Sequence, residues 1–166
     1  MSREQALQPT SRALHLVDVE NLFGTPRPDP EVVRPLARLY EVVAGLGPRD
    51  HVVLASSHRC AASVWLEWPG GVRRLAASGP DGADHALLSV LSRERVAERF
   101  GRVVIGSGDG IFAHAAARLQ AAETEVTVVC GEGALARRLR MATRDIRFLP
   151  RELAETCAVN LLRAVA

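Results

Sequence analysis

The stretch VVIGSGDGIFAHAAARL, residues 103–119, joins a continuous apolar run to a segment of helical period through a glycine-rich turn. A run of Val and Ile without alternation is typical of a strand buried on both faces of a parallel sheet. Because parallel strands need a crossover, usually a helix, this strand–turn–helix unit predicts an α/β fold. The turn also places a carboxylate, Asp109, at the carboxyl end of the strand, where open α/β sheets bind their ligands.

The same alternation of short apolar runs and helical segments extends along most of the chain. We predict strands at residues 13–19, 51–57, 72–78, 102–106, 125–130 and 145–149. We predict helices at residues 31–47, 60–68, 82–100, 110–122, 134–142 and 151–165. This order predicts a three-layer α/β/α sandwich with a mostly parallel central sheet. Residues 13–166 are expected to form a single domain, preceded by a flexible tail at residues 1–12.

The composition excludes several classes of protein. The chain has 166 residues, 48% of them apolar, and a net charge of +2. Its three cysteines lie far apart and match neither a zinc site nor a disulfide framework, which favours the cytoplasm. No apolar run is long enough to cross a bilayer, so we expect no membrane contact. All 21 basic residues are arginine, which suits phosphate binding but is also what GC-rich codon usage would produce.

Acidic residues follow three of the predicted strands. Asp18 ends the first strand, Asp84 lies at the start of the helix after the third, and Asp109 follows the fourth. Parallel strands bring these positions to one edge of the sheet, where converging carboxylates repel one another unless a cation lies between them. Carboxylate oxygens suit Mg²⁺ or Mn²⁺, so the pattern predicts a metal site. Each acid alone could instead cap a helix.

Three motifs occur in order: LVDVENLFG at residues 16–24, GADHALLSVL at 82–91 and IGSGDGIFAHAAARL at 105–119. With the strand VTVVC and the helix after it, they resemble the NYN domain of the PIN-like nuclease superfamily over residues 13–149. The resemblance implies a PIN-like, Rossmannoid fold and a metal-dependent ribonuclease, an endoribonuclease in the expected form. Its substrate would be single-stranded or structured RNA. The resemblance leaves open whether the chain forms a homo-oligomer.

The resemblance also implies which residues form the site. It places Asp18, Asn21, Asp84 and Asp109 in the catalytic pocket, the three aspartates as ligands of Mg²⁺ or Mn²⁺ and Asn21 orienting a water or a carboxylate. Substrate contacts are expected from Ser107, which is beside the pocket, from Arg27 in a proline-rich loop, and from Arg137 and Arg138 after the fifth strand.

One position departs from the family pattern. Ile111 stands where the motif S-G-D-x-D-F carries its second acid. This leaves open an alternative, an RNA-binding or interaction module of the same fold with weak or no catalysis. Acids at a sheet edge do not by themselves select a substrate, so a metal-dependent phosphatase or a DNA nuclease is a third interpretation.

Overall fold

The computed structural model describes residues 12–150, in which strands and helices alternate. The strands are β1 (Ala13–Asp18), β2 (His51–Ser56), β3 (Arg73–Ala76), β4 (Arg102–Gly106), β5 (Glu125–Gly131) and β6 (Asp145–Leu149). The helices are α1 (Val19–Phe23), α2 (Pro30–Ala44), α3 (His58–Glu67), α4 (Gly82–Arg93), α5 (Val96–Arg99), α6 (Ala113–Ala121) and α7 (Arg137–Ala142). The predicted helix 151–165, and the predicted tail apart from Arg12, lie outside the described residues.

All six strands form one parallel sheet in the order β3-β2-β1-β4-β5-β6. The chain moves from β1 outward through β2 to β3, then returns to place β4 on the other side of β1. Because crossovers between parallel strands are right-handed, this reversal sends the helices to opposite faces of the sheet. The predicted three-layer α/β/α class is confirmed, with a sheet that is parallel throughout rather than mostly.

The central strand β1 is buried along its whole length, which explains its almost unbroken apolar sequence. Leu14 and Leu16 contribute to the core on the side of α4, α5, α6 and α7, while Val17 belongs to the core on the side of α1, α2 and α3. Each fully buried Val or Leu side chain contributes about 1.5–3 kcal/mol to folding. Within residues 12–150, no helix combines the length and apolar character needed to cross a membrane.

The predicted helix 82–100 is two helices in the structure. Arg95 adopts a left-handed backbone with φ of 51° and separates α4 from α5. The carboxylate of Glu94 at this break binds the guanidinium groups of Arg73 and Arg99. The apolar spacing suggested a single helix because Val96 on α5 packs into the same core as Leu87 on α4. The predicted helix 110–122 likewise begins with a 3₁₀ turn, Gly110–Phe112, before α6.

A buried polar network lies at the amino end of the sheet, away from the strand ends that carry the predicted site. His15 on β1 is fully buried, with its Nε2 3.3 Å from Asp50 Oδ2 and its Nδ1 3.0 Å from the Tyr40 hydroxyl. The Asp50 carboxylate also accepts the amides of Ala13 and Gly47, and these bonds hold its pKa below the usual range against the effect of burial. A carboxylate can only accept, so Nε2 donates to it and Nδ1 accepts from the Tyr40 hydroxyl.

Burial lowers the pKa of His15 to about 4, even though Asp50 acts in the opposite direction. The unfolded chain takes up a proton on this imidazole near pH 6.5, whereas the folded chain does so only near pH 4. The His15 contribution to stability is therefore present above pH 6.5 and is lost as the pH falls toward 4. We expect the stability advantage of wild type over His15→Gln to shrink by about 2 kcal/mol between pH 7 and pH 5.

Urea unfolding of both proteins at the two pH values measures this change, and other titrating groups cancel in the comparison. His114→Gln, at an exposed histidine of α6, is the matched control and should follow wild type at both pH values. If the difference in free energy of unfolding between wild type and His15→Gln were the same at pH 7 and pH 5, the neutral, buried imidazole would be contradicted.

Candidate functional site

A cleft of about 700 Å³ opens at the carboxyl ends of β1, β2 and β3 and reaches Asp109, which follows β4. The strand order reverses between β1 and β4. Val17 pairs in register with Gly106, so Asp18 is level with the residue that follows β4. At such a switch point the helices after neighbouring strands leave toward opposite faces and a crevice forms between them. Its acidic lining is Asp18, Glu20, Asp81, Asp84 and Asp109.

Asp18 ends β1 and caps the five-residue helix α1. Its side chain is 4% exposed, and Oδ1 accepts the backbone N–H of Asn21 at 3.2 Å. The strand is buried on both faces and the helix begins at the next residue, so this carboxyl has little room to reach solvent. Asp18 therefore combines capping with a place in the cleft lining.

Asp84 lies in the first turn of α4 and is 6% exposed. Its carboxyl is hydrogen-bonded to that of Asp18, but its buried Oδ1 has no hydrogen-bond partner among the described residues. Helix capping does not explain the burial of Asp84. The N-cap residue of α4 is Asp81, and no capping bond from the Asp81 side chain is present. An unsatisfied buried acceptor costs about 1–3 kcal/mol, so Asp84 is held at an energetic cost.

The two buried carboxyls change each other's protonation. Burial raises the pKa of Asp84 to about 8, and the hydrogen bond and charge of Asp18 and the charge of Asp109 act in the same direction. Burial also raises the pKa of Asp18, despite its hydrogen bonds to Asp84 and Asn21. The pair therefore retains a proton near neutral pH unless a cation replaces it.

Asp109 lies at the rim of the cleft on the loop after β4. Its Oδ1 accepts the amide of Ile111 at 2.8 Å and so caps the 3₁₀ turn. Among the residues that the structure describes, no group of three or more His, Cys, Asp and Glu side chains is placed to hold one metal ion. Asp18 and Asp84 form a buried pair and Asp109 lies at the rim of the same cleft, where its capping bond holds it, so the three-aspartate metal site stays a prediction.

Asn21 and Ser107 hold the loop that carries Asp109. Asn21 Oδ1 accepts the backbone N–H of Gly108 at 2.8 Å, which ties α1 to the end of β4. Ser107 is fully buried, and its hydroxyl accepts the N–H of Asp109 at 3.2 Å. The backbone N–H of Asn21 also donates to Asp18 Oδ1, so Asn21 connects the carboxyl ends of β1 and β4. Ser107 supports the loop through its bond to the Asp109 N–H and does not line the cleft, and its contact with substrate stays a prediction.

The predicted arginines divide between two places. Arg27 lines the cleft from the loop between α1 and α2. Arg137 and Arg138 are exposed on α7 and do not line it, and their contact with substrate stays a prediction. Arg138 lies against Gly110, beside the loop of Asp109.

Three charged residues of the cleft, Glu20, Arg59 and Asp81, were not predicted from the sequence as site residues. Both carboxylate oxygens of Glu20 accept the N–H of Ser57, which ties α1 to the start of α3. Arg59 lies just beyond the carboxyl end of β2, so the strand-end rule that selected the aspartates could also have selected it.

Ile111, which replaces the second acid of the motif, does not face the cleft. Its side chain packs against the apolar core and lines a separate groove formed by residues of α4, α5 and α6. Position 111 therefore adds no carboxylate to the lining of the acidic cleft.

Comparison with known proteins shows the fold. No family model matches the sequence, and no curated protein matches it. The structure is similar to the crystal structure of a Vibrio parahaemolyticus protein of unknown function, with a TM-score of 0.58 and 17% identity over 92% of this chain and 98% of that one. This likeness shows a shared fold over nearly the whole length.

Two looser likenesses are to ribonucleases. A MAR1 ribonuclease from Caenorhabditis elegans has a TM-score of 0.38 and 11% identity over 96% of this chain and 77% of its own. A protein from Leishmania donovani with the same MAR1 ribonuclease name has a TM-score of 0.38 and 16% identity over 100% of this chain and 80% of its own. Likenesses at this TM-score do not bear on function.

The close approach at Gly108 yields a test of the site's backbone. A Cβ atom on Gly108 would lie 2.3 Å from the carbonyl oxygen of Ala134, so the loop would have to move. We expect Gly108→Ala to lower the free energy of unfolding by about 1–3 kcal/mol, as overpacking does. Gly131→Ala, where an added Cβ meets nothing within 4 Å, should stay within about 0.5 kcal/mol of wild type. Urea unfolding compares the two, and equal stability would contradict the tight contact.

Proposed function

We propose that this chain is a ribonuclease that hydrolyses phosphodiester bonds with Mg²⁺ or Mn²⁺ held by Asp18 and Asp84. The observation that carries the proposal is the buried Oδ1 of Asp84, which lacks a partner among residues 12–150 and belongs to a carboxyl bonded to a second buried acid. A divalent cation would satisfy this oxygen and offset the repulsion of the pair. Mg²⁺ commonly binds through one or two carboxylates, with waters and substrate phosphates as its other ligands, and this donor set fits that pattern.

The chemistry divides between the ion and the chain. When bound, such an ion lowers the pKa of a coordinated water and offsets the negative charge that develops on the phosphate. Asp109, fixed at the rim by its bond to the Ile111 amide, would accept a hydrogen bond from the attacking water and orient it. Asn21 and Ser107 would keep Asp109 in this place through the loop between them.

RNA is proposed as the substrate on the resemblance of the three sequence motifs to the NYN domain. The open cleft at the switch point supports a phosphate-containing polymer, because it carries the acidic pair and also Arg27 and Arg59. A metal-dependent nuclease needs acids that hold its metal ion and cations that bind its substrate, and this cleft has both kinds of residue.

A second candidate is a module of the same fold that binds RNA without cutting it. The observation that favours it is the engagement of Asp109 in a capping bond, together with an isoleucine at the position of the second acid. Two carboxylates would bind a metal less tightly than three or four, since each lost anionic ligand removes charge stabilisation. A DNA nuclease or a phosphatase would differ from both of these candidates in its substrate, which would be DNA or a phosphate monoester.

The test combines metal binding with hydrolysis. Wild type, Asp18→Asn and Asp84→Asn are compared by thermal unfolding with and without Mn²⁺, and by cleavage of labelled RNA and DNA in Mn²⁺ or EDTA. We expect Mn²⁺ at 100 times its dissociation constant to stabilise wild type by about 2.7 kcal/mol and neither variant. RNA cleavage should stop in EDTA and fall at least about 100-fold in each variant.

Glu41→Gln, which removes a carboxylate from α2 outside the cleft, is the control and should behave as wild type. Wild type that binds RNA but gains no stability from Mn²⁺ and cuts nothing would overturn the ribonuclease proposal and leave the binding module. Cleavage of DNA alone, or of phosphate monoesters alone, would overturn RNA as the substrate.

A further inference from the structure

The cleft carries a basic wall beside its acidic floor. Arg27, on the loop between α1 and α2, and Arg59, on the first turn of α3, both line it together with the aspartates. Both residues are exposed, and neither arginine has an acidic partner among residues 12–150. Several other arginines are paired, including Arg34 with Glu67, Arg73 with Glu94 and Arg147 with Asp145. The cleft therefore keeps two guanidinium groups for a ligand.

A single contact joins the two segments that carry these arginines. The thiol of Cys60 donates to the carbonyl oxygen of Pro26 at 3.0 Å, and this joins the loop to α3. Arg27 follows Pro26, and Arg59 precedes Cys60, so the two arginines flank this contact. Cys60 is 4% exposed, which keeps the contact away from solvent.

The backbone around Arg27 is restricted as well. Pro26 and Pro28 enclose it, and each has its φ fixed by the pyrrolidine ring. The amide of Arg27 also donates to the Thr25 hydroxyl at 3.3 Å. A loop that is already ordered loses less conformational entropy when its side chain binds a ligand.

We propose that Arg27 and Arg59 form a phosphate clamp that binds the phosphate next to the one facing Asp18 and Asp84. The inference rests on the proposed function and names its substrate class, a strand with at least two successive phosphates rather than a mononucleotide or a single phosphodiester. Guanidinium groups present planar forks of donors that match phosphate oxygens, and two of them on one wall fix its position. The acids and the clamp then hold neighbouring phosphates of one strand.

The first experiment measures binding without hydrolysis. Fluorescein-labelled hexauridylate is titrated in EDTA by anisotropy with wild type, Arg27→Ala, Arg59→Ala and the double variant. We expect the double variant to bind at least about 10-fold more weakly, and the slope of log K against log salt to fall by about 0.7, the value for one phosphate contact on a single strand. Both side chains are exposed, so the variants should keep the thermal midpoint of wild type.

Arg93→Ala is the matched control, since it removes the same charge from an exposed position of α4 that lines the separate groove. It should leave the binding of hexauridylate unchanged. If Arg93→Ala weakens binding as much as Arg27→Ala or Arg59→Ala alone does, the arginines act only through general charge, and the clamp is overturned. Unchanged binding in the double variant overturns it as well.

The second experiment uses Mn²⁺ and compares hexauridylate with bis(p-nitrophenyl) phosphate, a phosphodiester that has no neighbouring phosphate. We expect the loss of kcat/KM in the double variant to be at least 10-fold greater on hexauridylate, mainly through a higher KM. Equal losses on both substrates would mean that the arginines contact the reacting phosphate, which overturns the clamp. If wild type cuts neither substrate, the proposed function fails, while the anisotropy titration in EDTA still decides the clamp.

Discussion

The hydrogen bond from the backbone N–H of Gly108 to Asn21 Oδ1 connects the two strand ends on which the site depends. The strand order reverses between β1 and β4, so the helices that follow them separate and leave a crevice. Asn21 bridges this crevice and also donates its own amide to Asp18. Gly108 can take part because it has no Cβ atom where the loop passes close to Ala134. This bridge holds Asp109 at the rim of a cleft whose floor is Asp18 and Asp84.

Two ends of the same strand show two ways of burying polar groups. At the amino end of β1, the imidazole of His15 is neutral and both of its nitrogens have partners, as a structural network requires. At the carboxyl end, two buried acids meet and Asp84 Oδ1 has no partner among the described residues. The fold tolerates this cost of about 1–3 kcal/mol only because the rest of the strand is so thoroughly buried. This contrast favours the carboxyl end as the candidate functional site.

Features set by a local run of residues were predicted accurately from the sequence, and features set by distant contacts were not. The strands were found within a few residues because runs such as VVIG and VTVVC are too apolar for any but a buried position. The helix 82–100 was drawn as one because its apolar spacing continues past Arg95, whose left-handed backbone leaves no mark on that spacing. Arg137 and Arg138 were expected beside the pocket because they follow a strand; they lie on α7 outside the cleft lining, with Arg138 close to Gly110.

By itself, the sequence determined the layered parallel architecture and the gathering of Asp18, Asp84 and Asp109 at one edge, since buried parallel strands must all present their carboxyl ends on the same side. Only the tertiary structure decided which acids share a hydrogen bond and that Asp109 instead caps its own turn. It also decided that Arg27 and Arg59 line one cleft, because the Cys60 thiol bonds to the carbonyl oxygen of Pro26, 34 positions away. Such pairings depend on how the loops pack, and no local pattern in the sequence encodes that.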